Sequence, residues 1–257
     1  MNAKKNVWVE IKDHIAILTI NHPPANTWNW ATVSDFEKAL DQVETDKDVR
    51  VVILTGAGSK CFSAGFDVSD AANSYRIGPK GCELWKRVDC FAKPVIAAIN
   101  GHTLGGGLEL ALCCHFRLMA DNPKAKIGLT ELNLGIIPGW GGTQRLSAVV
   151  GKAKALDMIL FSKRLNAREA LEIGLVNQVF APEKLMYEAL SFAETLAKRP
   201  PIAVQCVLKA MAAGAYEGID RGLEVESEGS NVVGKSKDSK EGFTAFFEKR
   251  EPQFKGE

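Results

Sequence analysis

Two glutamates stand out by the company they keep. Glu109 lies in Ile99-Asn-Gly-His-Thr-Leu-Gly-Gly-Gly-Leu-Glu-Leu-Ala-Leu112, a lone carboxylate among apolar residues just after Gly105, Gly106 and Gly107. Glu131 follows 22 residues later, in Ile127-Gly-Leu-Thr-Glu-Leu-Asn-Leu-Gly-Ile-Ile-Pro-Gly-Trp-Gly-Gly-Thr-Gln-Arg-Leu146, again with apolar neighbours and with a glycine-rich loop behind it. Two carboxylates from separate segments can divide general-acid and general-base work when their surroundings push their pKa values apart. Glycines at a strand-to-helix junction let a ligand approach the backbone closely. They also leave N–H groups at a helix N-terminus free to stabilise negative charge. The combination suits acid–base chemistry on a carbonyl compound. Spacing alone leaves a second role open for Glu131, a capping or ion-pair carboxylate.

A further turn adds to the pattern. Thr55-Gly-Ala-Gly-Ser-Lys-Cys-Phe-Ser-Ala-Gly-Phe-Asp67 follows a buried strand and closes on Ala64-Gly65-Phe66-Asp67. A backbone N–H from this turn, paired with one from the glycine segment, would make an oxyanion hole, worth ~3 kcal/mol per donor in the transition state. A plain turn after a strand fits the same residues.

The elements that must position these groups follow from hydrophobic period. Val7–Ile11 and His14–Ile20 are β-rich runs split by Lys12-Asp13 and predict a hairpin. Val33, Phe36, Ala39, Leu40 and Val43 have helical spacing within 32–44. Val51–Leu54 and Pro94–Ile99 are continuous apolar runs, as buried parallel strands require, and Phe116–Ala120 reads as another short strand. Strands alternating with helices predict right-handed βαβ units in an α/β fold. Beyond Gly151 the segments 152–161, 167–173, 182–198, 201–213, 216–233 and 239–250 are helix-compatible, with 175–180 as an extended link. No internal repeat or low-complexity tract is evident.

Composition narrows the function classes. The 257 residues can bury a large core, and 46% hydrophobic with 25% charged residues is ordinary for a soluble globular protein. A formal charge of +1 gives no global electrostatic reason to expect nucleic acid or an anionic membrane as partner. The first fifteen residues lack the apolar core of a secretory signal, and no apolar run is long enough to span a membrane. The six cysteines contain no C-x-x-C spacing, so reduced thiols in a cytoplasmic protein, with no metal site, are expected. Gly229-Ser-Asn-Val-Val-Gly-Lys-Ser236 matches a P-loop letter by letter, but the charged helical segment before it offers no strand, so triphosphate binding is rejected.

Taken together, the chain resembles the enoyl-CoA hydratase/isomerase (crotonase) superfamily over almost its whole length. The markers are Phe62-Ser-Ala-Gly-Phe-Asp67, Lys93-Pro-Val-Ile-Ala-Ala-Ile-Asn-Gly101, Leu104-Gly-Gly-Gly-Leu-Glu109, Gly135-Ile-Ile-Pro-Gly139, Gly141-Gly-Thr-Gln-Arg-Leu146 and Glu241-Gly-Phe-Thr-Ala-Phe-Phe-Glu-Lys-Arg250. The resemblance implies a spiral α/β core of ββα units over 1–195. It also implies a helical region over 196–257 that builds trimers or hexamers and completes the coenzyme A site. By position, the amides of Phe66 and Gly106 would hold the thioester oxygen of an acyl-CoA. Glu131 would deliver the C2 proton and orient water, and Glu109 would hold and help deprotonate the same water. The activity implied is syn hydration of trans-2-enoyl-CoA, with no cofactor beyond the coenzyme A of the substrate. Family members that isomerise, dehalogenate or hydrolyse commonly lack one of the two glutamates. The alternatives are a Δ3,Δ2-enoyl-CoA isomerase and a non-catalytic acyl-CoA- or RNA-binding member.

The same resemblance assigns Ala64, Asp67, Gly105, Phe246 and Lys249 to substrate and coenzyme A binding, the last two often from a neighbouring subunit. Two departures bear on the acyl group. Trp140 stands where many hydratases have alanine, and Asn26-Thr-Trp28 replaces Asn-Ala-Leu. A ring at 140 would either reshape the acyl pocket or fold into the core.

Overall fold

The computed structural model describes residues 5–257, so the first four residues of the leader reading lie outside the described part. Val7–Lys12 (β1) and Ile15–Ile20 (β2) form the expected antiparallel hairpin. Asp13 and His14 turn it with φ of 49° and 68°, the two left-handed residues that a tight two-residue hairpin demands. Trp30–Thr45 (α1) follows, its start capped by the Asn29 side chain accepting from the Thr32 amide.

The chain then repeats one pattern three times. Val51–Gly56 (β3), Cys61–Ser63 (β4) and Ser74–Asp89 (α2) make the first unit. Val95–Ile99 (β5), His102–Leu104 (β6) and Gly106–Cys113 (α3) make the second. Phe116–Ala120 (β7), Ile127–Gly128 (β8) and Gly142–Val150 (α4) make the third. In each unit the first strand joins a six-stranded sheet and the second a separate three-stranded one. The repeat is therefore one of structure, carried by sequences with no visible likeness to each other.

The large sheet runs β1-β2-β3-β5-β7-β9, where β9 is Gln178–Phe180, and is parallel apart from the first hairpin. Its unbroken apolar strands have a reason: both faces are covered. Val52, Leu54 and Ala97 face a core that holds Phe36, Trp28 and Trp85. Val51, Ile53, Ile96 and Ala98 face Leu185, Ala189, Ala193 and Ala197 of Leu185–Ala197 (α7). Between the units and α7 lie Lys152–Leu160 (α5) and Ala167–Glu172 (α6), the latter opened by an Asn166/Glu169 capping box.

Three helices close the chain: Pro201–Glu217 (α8), Ile219–Gly234 (α9) and Lys237–Glu248 (α10). α8 buries none of its residues, and Val207, Met211 and Leu223 are exposed. No helix among the described residues is long and apolar enough to cross a membrane. The P-loop look-alike falls in the last turns of α9, and its Ser236 caps α10 by accepting from the Ser239 amide.

Three elements differ from the sequence expectation. The glycine segment does not follow the strand at 95–99 directly, because β6 intervenes. With three residues, β6 is too short to show a period. α2 carries no sequence signal, since Gly78, Pro79 and Gly81 interrupt it, yet Ile77, Leu84, Trp85 and Val88 are buried along one face. The glycine-rich loop at 139–142 opens a helix, α4, that the sequence did not announce.

Candidate active site

The small sheet explains how the separate motifs meet. β4, β6 and β8 are mutually parallel, with β6 in the middle. Their C-terminal ends lead into Ala64–Phe66, into Gly105–Gly106 with Glu109 behind them, and into Thr130–Glu131. Ligands of parallel sheets gather beyond the carboxyl ends of the strands. Here three neighbouring ends deliver three chemically distinct segments to one place. They line a cavity of about 290 Å³ together with Val68, Ser74, Gly78, Leu134, Ile136 and Trp140.

The closeness of the first two segments is visible in their glycines. Gly65 has φ +87°, and a Cβ there would lie 2.7 Å from the Gly106 nitrogen. Gly105 has φ +52°, and a Cβ there would lie 3.1 Å from Glu131 Oε1. Side chains at these positions would cover the Gly106 amide and press on the carboxylate. Among the described residues, neither the Phe66 nor the Gly106 amide donates to a protein acceptor. Trp28 pairs instead with the carbonyl of Gly65 and the amide of Asp67. Phe66 and Gly106 both line the cavity, and Gly106 opens α3, where the helix dipole adds positive potential.

Both glutamates are buried. Glu109 is 2% exposed, and its Oε1 accepts from the amides of Trp140 at 2.7 Å and Gly142 at 2.8 Å. Burial pushes it up to about 7, against the pull of those two amides, and Glu131 nearby adds to the rise. Glu131 opens a single 3-10 turn at Glu131–Leu134. Burial raises it as well, while backbone amides of the turn pull the other way. Its Oε2 is buried with no hydrogen-bond partner among the described residues. An orphaned carboxylate oxygen in a cavity is costly unless a ligand or water meets it.

Trp140 does both things the sequence allowed. Its ring is only 7% exposed and packs on Trp85, centroids 4.9 Å apart, yet it still borders the cavity. Gly81 and Gly106 leave the room it needs: a Cβ at either would lie 2.5 Å from a ring carbon. Trp85 Nε1 donates to the Gly106 carbonyl at 3.1 Å, fixing the opposite side of the same peptide segment.

Of the residues singled out from sequence, the structure gathers Ala64, Phe66, Gly105, Gly106, Glu109, Glu131 and Trp140. Asp67 stands just outside, its carboxylate accepting from Thr27, from the Ser69 amide and from the Ser69 hydroxyl. Phe246 and Lys249 belong to the end of α10. Phe246 is 76% exposed and lines a different hollow with Phe243 and Phe254. Sequence reasoning missed the Trp140 and Gly142 amides, because backbone donors leave no side-chain signature.

Known proteins resemble the chain over nearly its whole length. The family model described as enoyl-CoA hydratase/isomerase matches residues 10–257. Crotonyl-CoA hydratase of Syntrophomonas wolfei is 39% identical over 98% of each chain. The short-chain-enoyl-CoA hydratase of Clostridium acetobutylicum is 40% identical over 95% of each. The crystal structure of an enoyl-CoA hydratase from Bacillus anthracis superposes with a TM-score of 0.93 at 39% identity, covering 98% of this chain and 100% of that one. The chain belongs to the enoyl-CoA hydratase/isomerase family and has the crotonase fold.

Proposed function

We propose that the protein adds water reversibly across the C2=C3 bond of trans-2-enoyl-CoA thioesters, giving 3-hydroxyacyl-CoA. One observation carries the reading: two buried carboxylates, one with an unpartnered oxygen, share a cavity with two amides that have no protein acceptor. The names of the relatives in Syntrophomonas and Clostridium support the same reaction class.

The thioester carbonyl accepts from the Phe66 and Gly106 amides. As water oxygen bonds to C3, the electron pair of the double bond moves toward C2 and charge builds on that carbonyl oxygen, where the two donors and the α3 dipole stabilise it. Glu109, fixed by two amides, takes a proton from the water. Glu131 orients the same water and delivers a proton to C2 from the same face, so H and OH add syn. The proton gained by Glu109 returns to Glu131 before the next turnover, and the pair therefore titrates as one unit. Trp140 closes the cavity beside Gly106 and limits the acyl group on that side. The exposed apolar residues of α8 and α9 support a homotrimer or homohexamer, in which Phe246 and Lys249 reach the coenzyme A of a neighbouring subunit.

The test is a steady-state screen of CoA thioesters varied in chain length, branching and double-bond position. Turnover of 2-enoyl thioesters to 3-hydroxyacyl products supports hydration. Activity confined to moving a 3-enoyl double bond, with no water added, replaces the reading by isomerisation.

A further inference from the structure

The loop that holds Glu109 is itself held from outside the cavity. Arg145, in α4, folds back so that Nη1 donates to the Trp140 carbonyl at 2.8 Å. That carbonyl lies between the two amides, of Trp140 and Gly142, that grip Glu109 Oε1. The rest of the guanidinium is committed elsewhere. Nε donates to Asp89 Oδ2 at 2.7 Å, and Nη2 donates to the Tyr216 hydroxyl at 2.7 Å. Tyr216 in turn donates to the same Asp89 oxygen at 2.6 Å. Gly141, with φ +101°, is tied to this arrangement, because a Cβ there would occupy the place of the guanidinium.

These partners come from distant parts of the chain. Asp89 ends α2, and Tyr216 lies in the last turn of α8, its ring 4.8 Å from Lys86 Nζ. Arg145 is 15% exposed, so its hydrogen bonds are largely shielded from water, and a bidentate cation is well suited to fix two acceptors at once. We infer that Arg145, locked by Asp89 and Tyr216, is the positioning residue for Glu109 and makes the aim of that carboxylate depend on where α8 ends. α8 is the helix whose apolar face the single chain leaves uncovered.

The inference rests on the hydration reading for its rate predictions, but not for its geometry. The charged and titratable groups facing Glu109 are Glu131 from the turn after β8, Arg145 from α4, Cys82 from α2 and Cys113 from α3. Arg145 favours the ionised form, so its removal moves the acid limb of the rate profile to higher pH.

The experiment compares Arg145→Gln, Arg145→Lys and Tyr216→Phe with the wild type in the full-length protein. It uses crotonyl-CoA, full pH profiles and thermal midpoints. Arg145→Gln is expected to lower kcat on the order of 10²-fold, with KM within about 3-fold, as misplacement of a catalytic group does. Arg145→Lys, which keeps one donor and the charge, recovers roughly 10-fold of that loss. Tyr216→Phe keeps the ring over Lys86 and lowers kcat about 3-fold, because it removes the two hydrogen bonds of the hydroxyl but leaves the Arg145–Asp89 pair in place. A lower Tm with kcat and acid limb unchanged overturns the inference. Amide proton signals of Trp140 and Gly142 provide a readout independent of turnover. In the wild type they shift as Glu109 titrates, and in Arg145→Gln that coupling is weakened. Full coupling in Arg145→Gln overturns the inference even if no thioester is turned over. A wild type inactive on every enoyl-CoA overturns only the hydration reading.

Discussion

The two carboxylates reach one cavity from regions built in opposite ways. Glu109 sits on a regular helix, and the 140–142 loop grips one of its oxygens with two amides. Glu131 sits on one irregular turn, against Gly105, and keeps a buried oxygen with no partner. A group whose hydrogen bonds are made by the protein is aimed by the protein. A group with an unmet acceptor is left for the ligand to complete. Under the proposed hydration the difference is a division of labour: Glu109, gripped by two amides, fixes where the water stands, and Glu131 offers the unpartnered oxygen that works on it.

The largest effect breaks both sides of the comparison. Glu131→Gln and Glu109→Gln should each lower kcat for crotonyl-CoA by about 10³-fold, the scale of a lost acid–base group. The double variant should fall little further, because residues acting on one water do not add. Multiplicative losses would show that the two act on separate steps.

Next is the backbone between them. Gly106→Ala drives a Cβ into the Trp140 ring, and kcat/KM should fall by roughly 10²-fold as the amide is displaced from its proposed place beside the thioester carbonyl. Adding Trp140→Ala should restore part of the loss by making room. No restoration would place the defect elsewhere than in that contact.

A smaller effect concerns pH. Burial holds Glu109 near 7, and the proposed chemistry needs it ionised, so kcat/KM should fall as pH drops below about 7. In Glu109→Gln the residual rate should lose that limb.

The smallest effect is on stability. The folded chain disfavours ionised Glu109, so the cost is absent below the ordinary value of 4.5, grows as pH rises, and levels off above about 7. Glu109→Gln should therefore raise stability at pH 8, by up to ~3 kcal/mol, and leave it unchanged at pH 4, as paired thermal melts would show. An equal effect at both pH values would mean that the carboxylate is not destabilised by burial.

Much of this was legible in the chain, and the reasons for the rest are local. The apolar runs at 51–54 and 95–99 carry the period of buried strands, and a carboxylate after three glycines marks a site without further help. β4, β6 and β8, two or three residues each, are too short for any period, although their ends place Ala64, Phe66, Gly105, Gly106 and Glu131 at the cavity. Gly81 argues against a helix by propensity, yet it is required inside α2 because Trp140 arrives there from a later unit. Trp140 and Gly142 hold Glu109 through backbone amides, which leave no mark in the pattern of side chains. The Arg145 cluster joins helices that are far apart in sequence, so nothing local announces it.

The central claim is that both carboxylates act on one water from one face of the double bond. Hydration of crotonyl-CoA in deuterated water, with the product's configuration read by NMR, tests it directly. The account predicts a single deuterium at C2, on the same face as the hydroxyl at C3. Deuterium on the opposite face, or scrambled between the two, would contradict it.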